Sequence, residues 1–143
     1  MADFIADSFK QELLQGVHDF TNSTGDAFYW ALFTNAWTGN NATTATYTTT
    51  NEVANGNGYT TGGVTIANVT PTVSSNVAYT DWATDPTWGT ANFTARYTHL
   101  YNSTDSNKSV ANWDFGTDQT ASGGDFIIVL PTPASGTAIL RLA

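Results

Sequence analysis

The sequence predicts a mainly β fold: one β-sandwich or barrel, jelly-roll-like, with a single N-terminal α-helix. Three observations carry this expectation. Beyond Phe20, short aromatic and β-branched runs alternate with Gly, Asn, Asp and Pro, giving about eight strands in roughly 115 residues. A helical period is confined to residues 4–17. The chain has 143 residues, a length that suits one core within the usual ~100–200 residues per domain. Residues 1–143 are therefore read as one β-rich domain. A chain of this length buries about two thirds of its unfolded surface and needs no staple.

The helix is expected over 4–17. Ile5, Phe9 and Leu13 recur every four residues, and Leu14 and Val17 widen the stripe. Asp3 is placed to cap it, Asp7 suits its first turn, and Gly16 suits its stop. The stripe must bury its face on this β-domain or on a neighbour. His18 falls just past the helix, near the negative end of its dipole.

Phe28–Thr34 is apolar on both faces, which predicts a central strand, and Phe126–Leu130 reads the same way. Residues 39–61 hold Thr, Asn and two Asn-Gly pairs, and are expected to form a long surface loop or arm. Val64 and Ile66 alternate on one strand, Val77, Tyr79 and Asp81 on another. On the next, Phe93, Ala95, Tyr97, His99 and Tyr101 share one face. Val110–Phe115 and Asp125–Leu130 follow as strands divided by a Thr/Ser/Gly loop, and Ala138–Leu142 closes the chain.

Composition excludes several functions. Four basic residues stand against twelve acidic ones, a net charge of −8. Lys10, Arg96, Lys108 and Arg141 cannot build a phosphate-tracking surface, so no nucleic-acid partner is expected, and an anionic membrane would repel the chain. There is no cysteine, hence no disulfide and no thiolate chemistry. No apolar run approaches the ~20 residues of a membrane span. The N-terminus has neither a basic region nor an apolar core of the signal-peptide kind. Charge is replaced by 26 Thr and 13 Asn, and this abundance accounts for the Asn-x-Ser/Thr triplets at Asn22, Asn41, Asn68, Asn92, Asn102 and Asn107 without glycosylation.

The chemistry-bearing residues read as structural. Asp114-Phe115-Gly116 matches the kinase metal-binding triplet but has none of its companion motifs, and is read as a strand end turning at Gly116. His99, between Tyr97 and Tyr101, is read as a core aromatic. Asp114, Asp118 and Asp125 form the densest acidic group. They are expected to cap turns at Gly116, Gly123 and Gly124, with a calcium site or a glycosidase pair as the alternatives. No cofactor, metal or catalytic residue is assigned. Of the tryptophans, Trp30 and Trp113 are expected in the core, whereas Trp37, Trp82 and Trp88 lie at strand ends. Trp37, Tyr47, Tyr59 and Trp88, with Phe9 on the helix, are the expected contact residues.

A series of segments, in order, resembles one family. Ser8 to Phe20 (Ser-Phe-Lys-Gln-Glu-Leu-Leu-Gln-Gly-Val-His-Asp-Phe) and Asp26-Ala27-Phe28-Tyr29-Trp30-Ala31-Leu32-Phe33-Thr34 open it. Thr49-Thr50-Asn51-Glu52-Val53, Gly58-Tyr59-Thr60-Thr61-Gly62-Gly63 and Asp85-Pro86-Thr87-Trp88 continue it. Phe93-Thr94-Ala95-Arg96, Leu100 to Thr104, Ser106 to Val110, Asp114-Phe115-Gly116 and Ala138 to Leu142 complete it. Together these resemble a family of small structural proteins of tailed-bacteriophage virions, with Trp30 standing where such chains often carry a smaller residue. The resemblance implies a non-enzymatic virion protein made in the bacterial host cytoplasm, most of all a capsid decoration (cement) protein. Its expected partners are the major capsid protein or other virion proteins, in a homo-oligomer or symmetric lattice. A tail or head–tail junction adaptor is the nearest alternative. A carbohydrate-binding module or glycan hydrolase is the alternative of another class.

Overall fold

A computed structural model describes residues 3–143. The elements are β1 (Asp3–Ile5), α1 (Asp7–Leu14), β2 (Phe28–Phe33), β3 (Val64–Thr65), β4 (Asn68–Ser74), β5 (Val77–Trp82), β6 (Thr87–Asn102), β7 (Lys108–Ile127) and β8 (Leu140–Leu142). They form two antiparallel sheets, a five-stranded one ordered β1-β7-β6-β2-β3 and a three-stranded one ordered β4-β5-β8. The predicted mainly β class with one N-terminal helix is what the chain adopts, as an open sandwich and not a closed barrel.

The helix is shorter than its periodicity suggested. Asp3 does not cap it: Asp3, Phe4 and Ile5 pair with Trp113, Asn112 and Ala111 of β7. The open edge of β7 offers ladder hydrogen bonds that outweigh one more helical turn. Ala6 stands at the N-cap without a side-chain bond, and Asp7 occupies the first turn. At the other end Gly16 takes φ +71°. Its N–H reaches Leu13 O, and the Val17 N–H reaches Glu12 O. This is the double bond of a Schellman stop, which needs the left-handed residue that glycine supplies.

Strand β2 is buried on both faces, as its sequence required. Phe28, Trp30 and Leu32 face the three-stranded sheet, where they meet Phe9, Phe20, Trp82 and Leu140. Phe20 stacks on Phe28 at 4.4 Å, and Trp30 meets Trp82 edge-on at 5.3 Å. Tyr29, Ala31 and Phe33 face the other way, towards Trp37, Tyr47, Tyr97 and Tyr101. That second face is covered by residues 34–63. This strap is no projecting arm: isolated bridges tie Phe33 to Glu52 and Thr46 to Lys108.

The largest departure lies in β6 and β7, two strands of 16 and 20 residues. Residues 116–124, expected to be a loop, continue β7, and Gly116 is a bulge within it and not a strand end. Strand β2 pairs only with Tyr97–Asn102 of β6, and β1 only with Ala111–Trp113 of β7. Thr87–Arg96 and the β7 residues from Gln119 onward therefore run on as a two-stranded ribbon. Tyr97 pairs with Asp114 but Ala95 pairs with Gln119, so Phe115 to Asp118 stand opposite Arg96 alone. Such a bulge twists the strands and changes which side faces the core. Phe93 and Ala95 accordingly join the inter-sheet core, while Tyr97, His99 and Tyr101 face the strap. The expected single face for all five residues is corrected on this point. Phe126–Leu130 is likewise not central: β7 ends at Ile127, and Val129 is 79% exposed.

Three of the four outermost strands are short. Strands β1 and β8 have three residues each and β3 has two. Strand β4 carries Pro71 where its register with β5 shifts. Ser75 and Asn76, both at positive φ, close the β4–β5 hairpin as a type I′ turn does.

Candidate functional site: an uncovered groove beside β7

None of the five expected contact residues forms an open surface. Phe9, Trp37, Tyr59 and Trp88 are buried within the chain, and Tyr47 is half-buried. Phe9 lies 4.8 Å from the His18 ring, Trp37 stacks on Phe33 at 4.3 Å, and Tyr47 stacks on Tyr101 at 4.2 Å. Trp88 lies between Tyr59 and Phe126. The strap and the ribbon fold back over these rings, so flanking Thr and Asn are no sign of an exposed aromatic.

Glu52 organises the strap. Its Oε1 accepts the Tyr59 hydroxyl at 2.6 Å and the Gly62 N–H at 2.7 Å, and its Oε2 accepts the Tyr47 hydroxyl at 2.7 Å. The Tyr59 oxygen in turn accepts the Leu32 N–H at 2.9 Å, and Tyr101 donates to Gly62 O at 2.9 Å. Burial and the adjacent carboxylate raise the pKa of Tyr47 and Tyr59 above the ordinary phenol value. Burial, with Glu52, pushes Tyr101 up to about 12. A signal for this site was in the sequence: Glu52 is the only charged residue between Asp26 and Asp81.

The two histidines are also built in. His18 Nε2 meets Glu12 at 2.9 Å and Nδ1 accepts from Asn102 at 3.0 Å, so side chains and not the helix dipole hold the ring. His99 is 1% exposed, with Nε2 on Ser109 Oγ at 2.9 Å, and burial lowers its pKa to about 3.

The acidic trio is dispersed in role. Asp114 grips Arg96 through two bonds, Nε to Oδ1 at 2.5 Å and Nη2 to Oδ2 at 3.1 Å. The Arg96 contact lowers its pKa. Asp114 also accepts the Gly116 N–H at 2.7 Å, as expected of a turn aspartate. Asp118 instead accepts from Asn35 of the strap at 2.9 Å. Asp125 lies beside Gly89 of β6. Among the described residues no three His, Asp or Glu side chains gather as a metal site. No helix among them is long and apolar enough to cross a membrane.

The inner face of β7 is only partly covered. The five-stranded sheet is wider than the three-stranded sheet facing it, and the overhang leaves a groove of about 600 Å³. Its walls include Trp113, Phe115, Phe126, Ile128, Leu130 and Ile139, all partly exposed apolar side chains. Its floor is Trp30, on which Trp113 stacks at 5.3 Å. The buried Trp30 Nε1 has no hydrogen-bond partner. Asp114, Gln119 and Asp125 stand among the apolar walls, so the rim is polar and acidic. Ile127 and Val129, 49% and 79% exposed, extend the apolar surface outward. A groove of this kind has the apolar centre and polar border of a protein contact. Nothing in the sequence separated Trp113 from a core tryptophan, because its exposure arises from the unequal width of two sheets.

No family model, curated protein or solved structure matches this chain.

Proposed function

We propose that this chain is a non-enzymatic structural protein of a tailed-bacteriophage virion, most of all a capsid decoration protein. It is made in the bacterial host cytoplasm and binds the assembled shell of major capsid protein at symmetry-related places. The observation that carries the reading is the partly covered inner face of β7. A groove with Trp113, Phe115 and Phe126 in its walls is where a second chain gains from burying apolar surface, about 25 cal/mol per Å². Ribbon residues Gln119–Ala121 and Asp125–Ile127 line that groove and lengthen the contact. The sequence resemblance to phage structural proteins supplies the partner class. A position at the tail or the head–tail junction would use the same groove, and is the second arm of the test.

The test is localisation and reconstitution. Purified protein is added to shells that lack it, and the particles are imaged by electron cryomicroscopy. Regular density on the shell surface, lost with Phe115→Asp while the circular dichroism spectrum is unchanged, is expected. Density at the tail would move the protein to the second arm. A folded chain that binds neither shells nor tails overturns the reading.

A further inference from the structure

A separate pocket of about 270 Å³ lies between the strap and the outer face of the five-stranded sheet. Its floor is His99 and one wall is the Trp37 indole, both buried. Its mouth is formed by the exposed side chains of Thr38, Thr46, Thr48 and Thr50 with Asn51. Gly39 crosses directly against the indole: a Cβ there would meet the Trp37 ring at 2.4 Å, so only glycine leaves this wall in place.

Three features of the pocket define what fits it. Its volume is roughly nine times the ~30 Å³ share of one liquid water, which is too large for a single structural water. It is also slightly below the ~300 Å³ at which drug-sized sites begin, which limits an occupant to a small molecule. Among the described residues no acidic or cationic side chain lines it, and the His99 ring is held neutral by burial. An ionic occupant would find no counter-charge. Hydroxyl and amide groups dominate the mouth, and these both donate and accept. The His99 ring is 1% exposed and its Nε2 is held by Ser109 Oγ, so the floor is fixed in place.

We propose that this pocket binds a small uncharged polyhydroxyl molecule, about one sugar ring in size, with its hydroxyls among the threonines. The site is distinct from the β7 groove and goes beyond the structural role proposed above. A virion protein with such a site would recognise host-surface or medium sugars.

The test uses the full chain labelled with ¹⁵N and three probes, D-glucose, D-galactose and N-acetyl-D-glucosamine. At least one is expected to shift the His99 imidazole and Trp37 indole nitrogen signals saturably. The double substitution Thr48→Val with Thr50→Val, both at exposed positions, should weaken that affinity roughly tenfold and leave the remaining amide spectrum unchanged. No saturable shift with any of the three sugars overturns the proposal. So does binding that the double substitution leaves unaltered.

Discussion

The two faces of the five-stranded sheet are covered by different means. The inner face presents Phe28, Trp30, Leu32, Leu100 and Ala111 to a second sheet, and its cohesion is apolar contact. The outer face presents Phe33, Tyr97, His99 and Tyr101 to a strap with no regular structure beyond isolated bridges. There the contacts are aromatic, and the placement comes from directed bonds to Glu52 and from backbone bonds such as Val53 N–H to Leu32 O at 2.9 Å. Apolar contact is non-directional and survives small shifts. A strap fixed by hydrogen bonds either sits correctly or leaves buried donors without partners. The inner face should therefore set global stability, and the outer face should set where the strap lies.

Truncating the inner face is the strongest way to break this contrast. Trp30→Ala should cost about 3–5 kcal/mol, as large-to-small core substitutions do. Denaturant unfolding should show it as one cooperative loss in both sheets. A loss confined to one sheet would mean that the layers are not coupled through Trp30. Glu52→Ala should cost less, about 2–3 kcal/mol, by leaving the Gly62 N–H and two phenols without their acceptor. Its signature should be local: amide exchange should quicken across residues 34–63 before β4, β5 and β8 change. Uniform quickening would make the strap part of the global unit. The smallest effect is that of pH on His99. Its folded pKa, near 3, lies below the unfolded value near 6.5, so the unfolded chain binds a proton that the native chain refuses. Stability from this group is present at neutral pH and is lost as pH falls from 6.5 towards 3. Between pH 7 and 5 the loss should be about 2 kcal/mol. Urea titrations of the wild type and His99→Phe, compared as slopes against pH, isolate it. Equal slopes would show that His99 does not carry the effect.

The inner face was legible in the sequence and the outer one much less so. Phe28–Thr34 announces a central strand because both its alternating sets are apolar, and Gly16 announces the helix stop. The ribbon was hidden because the end of β7, Thr-Asp-Gln-Thr-Ala-Ser-Gly-Gly, has the composition of a loop. Only cross-strand partners such as the Thr94–Thr120 hydroxyl pair at 2.7 Å hold it extended. Local pattern cannot report such a partner 26 positions away. Ile5 is the converse case: its period is helical, but the open edge of β7 is adjacent in space and it extends β1. Trp37, Tyr47 and Tyr59 read as surface residues in the sequence because polar neighbours surround them. Their burial depends on a strap held by Glu52 together with backbone bonds and bridges from distant strands.

The perimeter of the sandwich bears on how many copies can be crowded together. The outermost strands of the two sheets are either two or three residues long or interrupted by Pro71, whereas the ribbon strands Thr87–Arg96 and Gln119–Ile127 have no further strand beside them. At the outermost strands an incoming backbone finds few consecutive donors and acceptors, and along the ribbon the register shifts between Trp88 and Asn92 and at Arg96 interrupt the ladder. Edge-to-edge pairing, the hazard of β-rich chains at high local concentration, is thus confined to the ribbon, where bulges blunt it. The net charge of −8 adds mutual repulsion between free molecules. Copies of this chain brought close together are therefore discouraged from pairing backbone to backbone everywhere but along that ribbon.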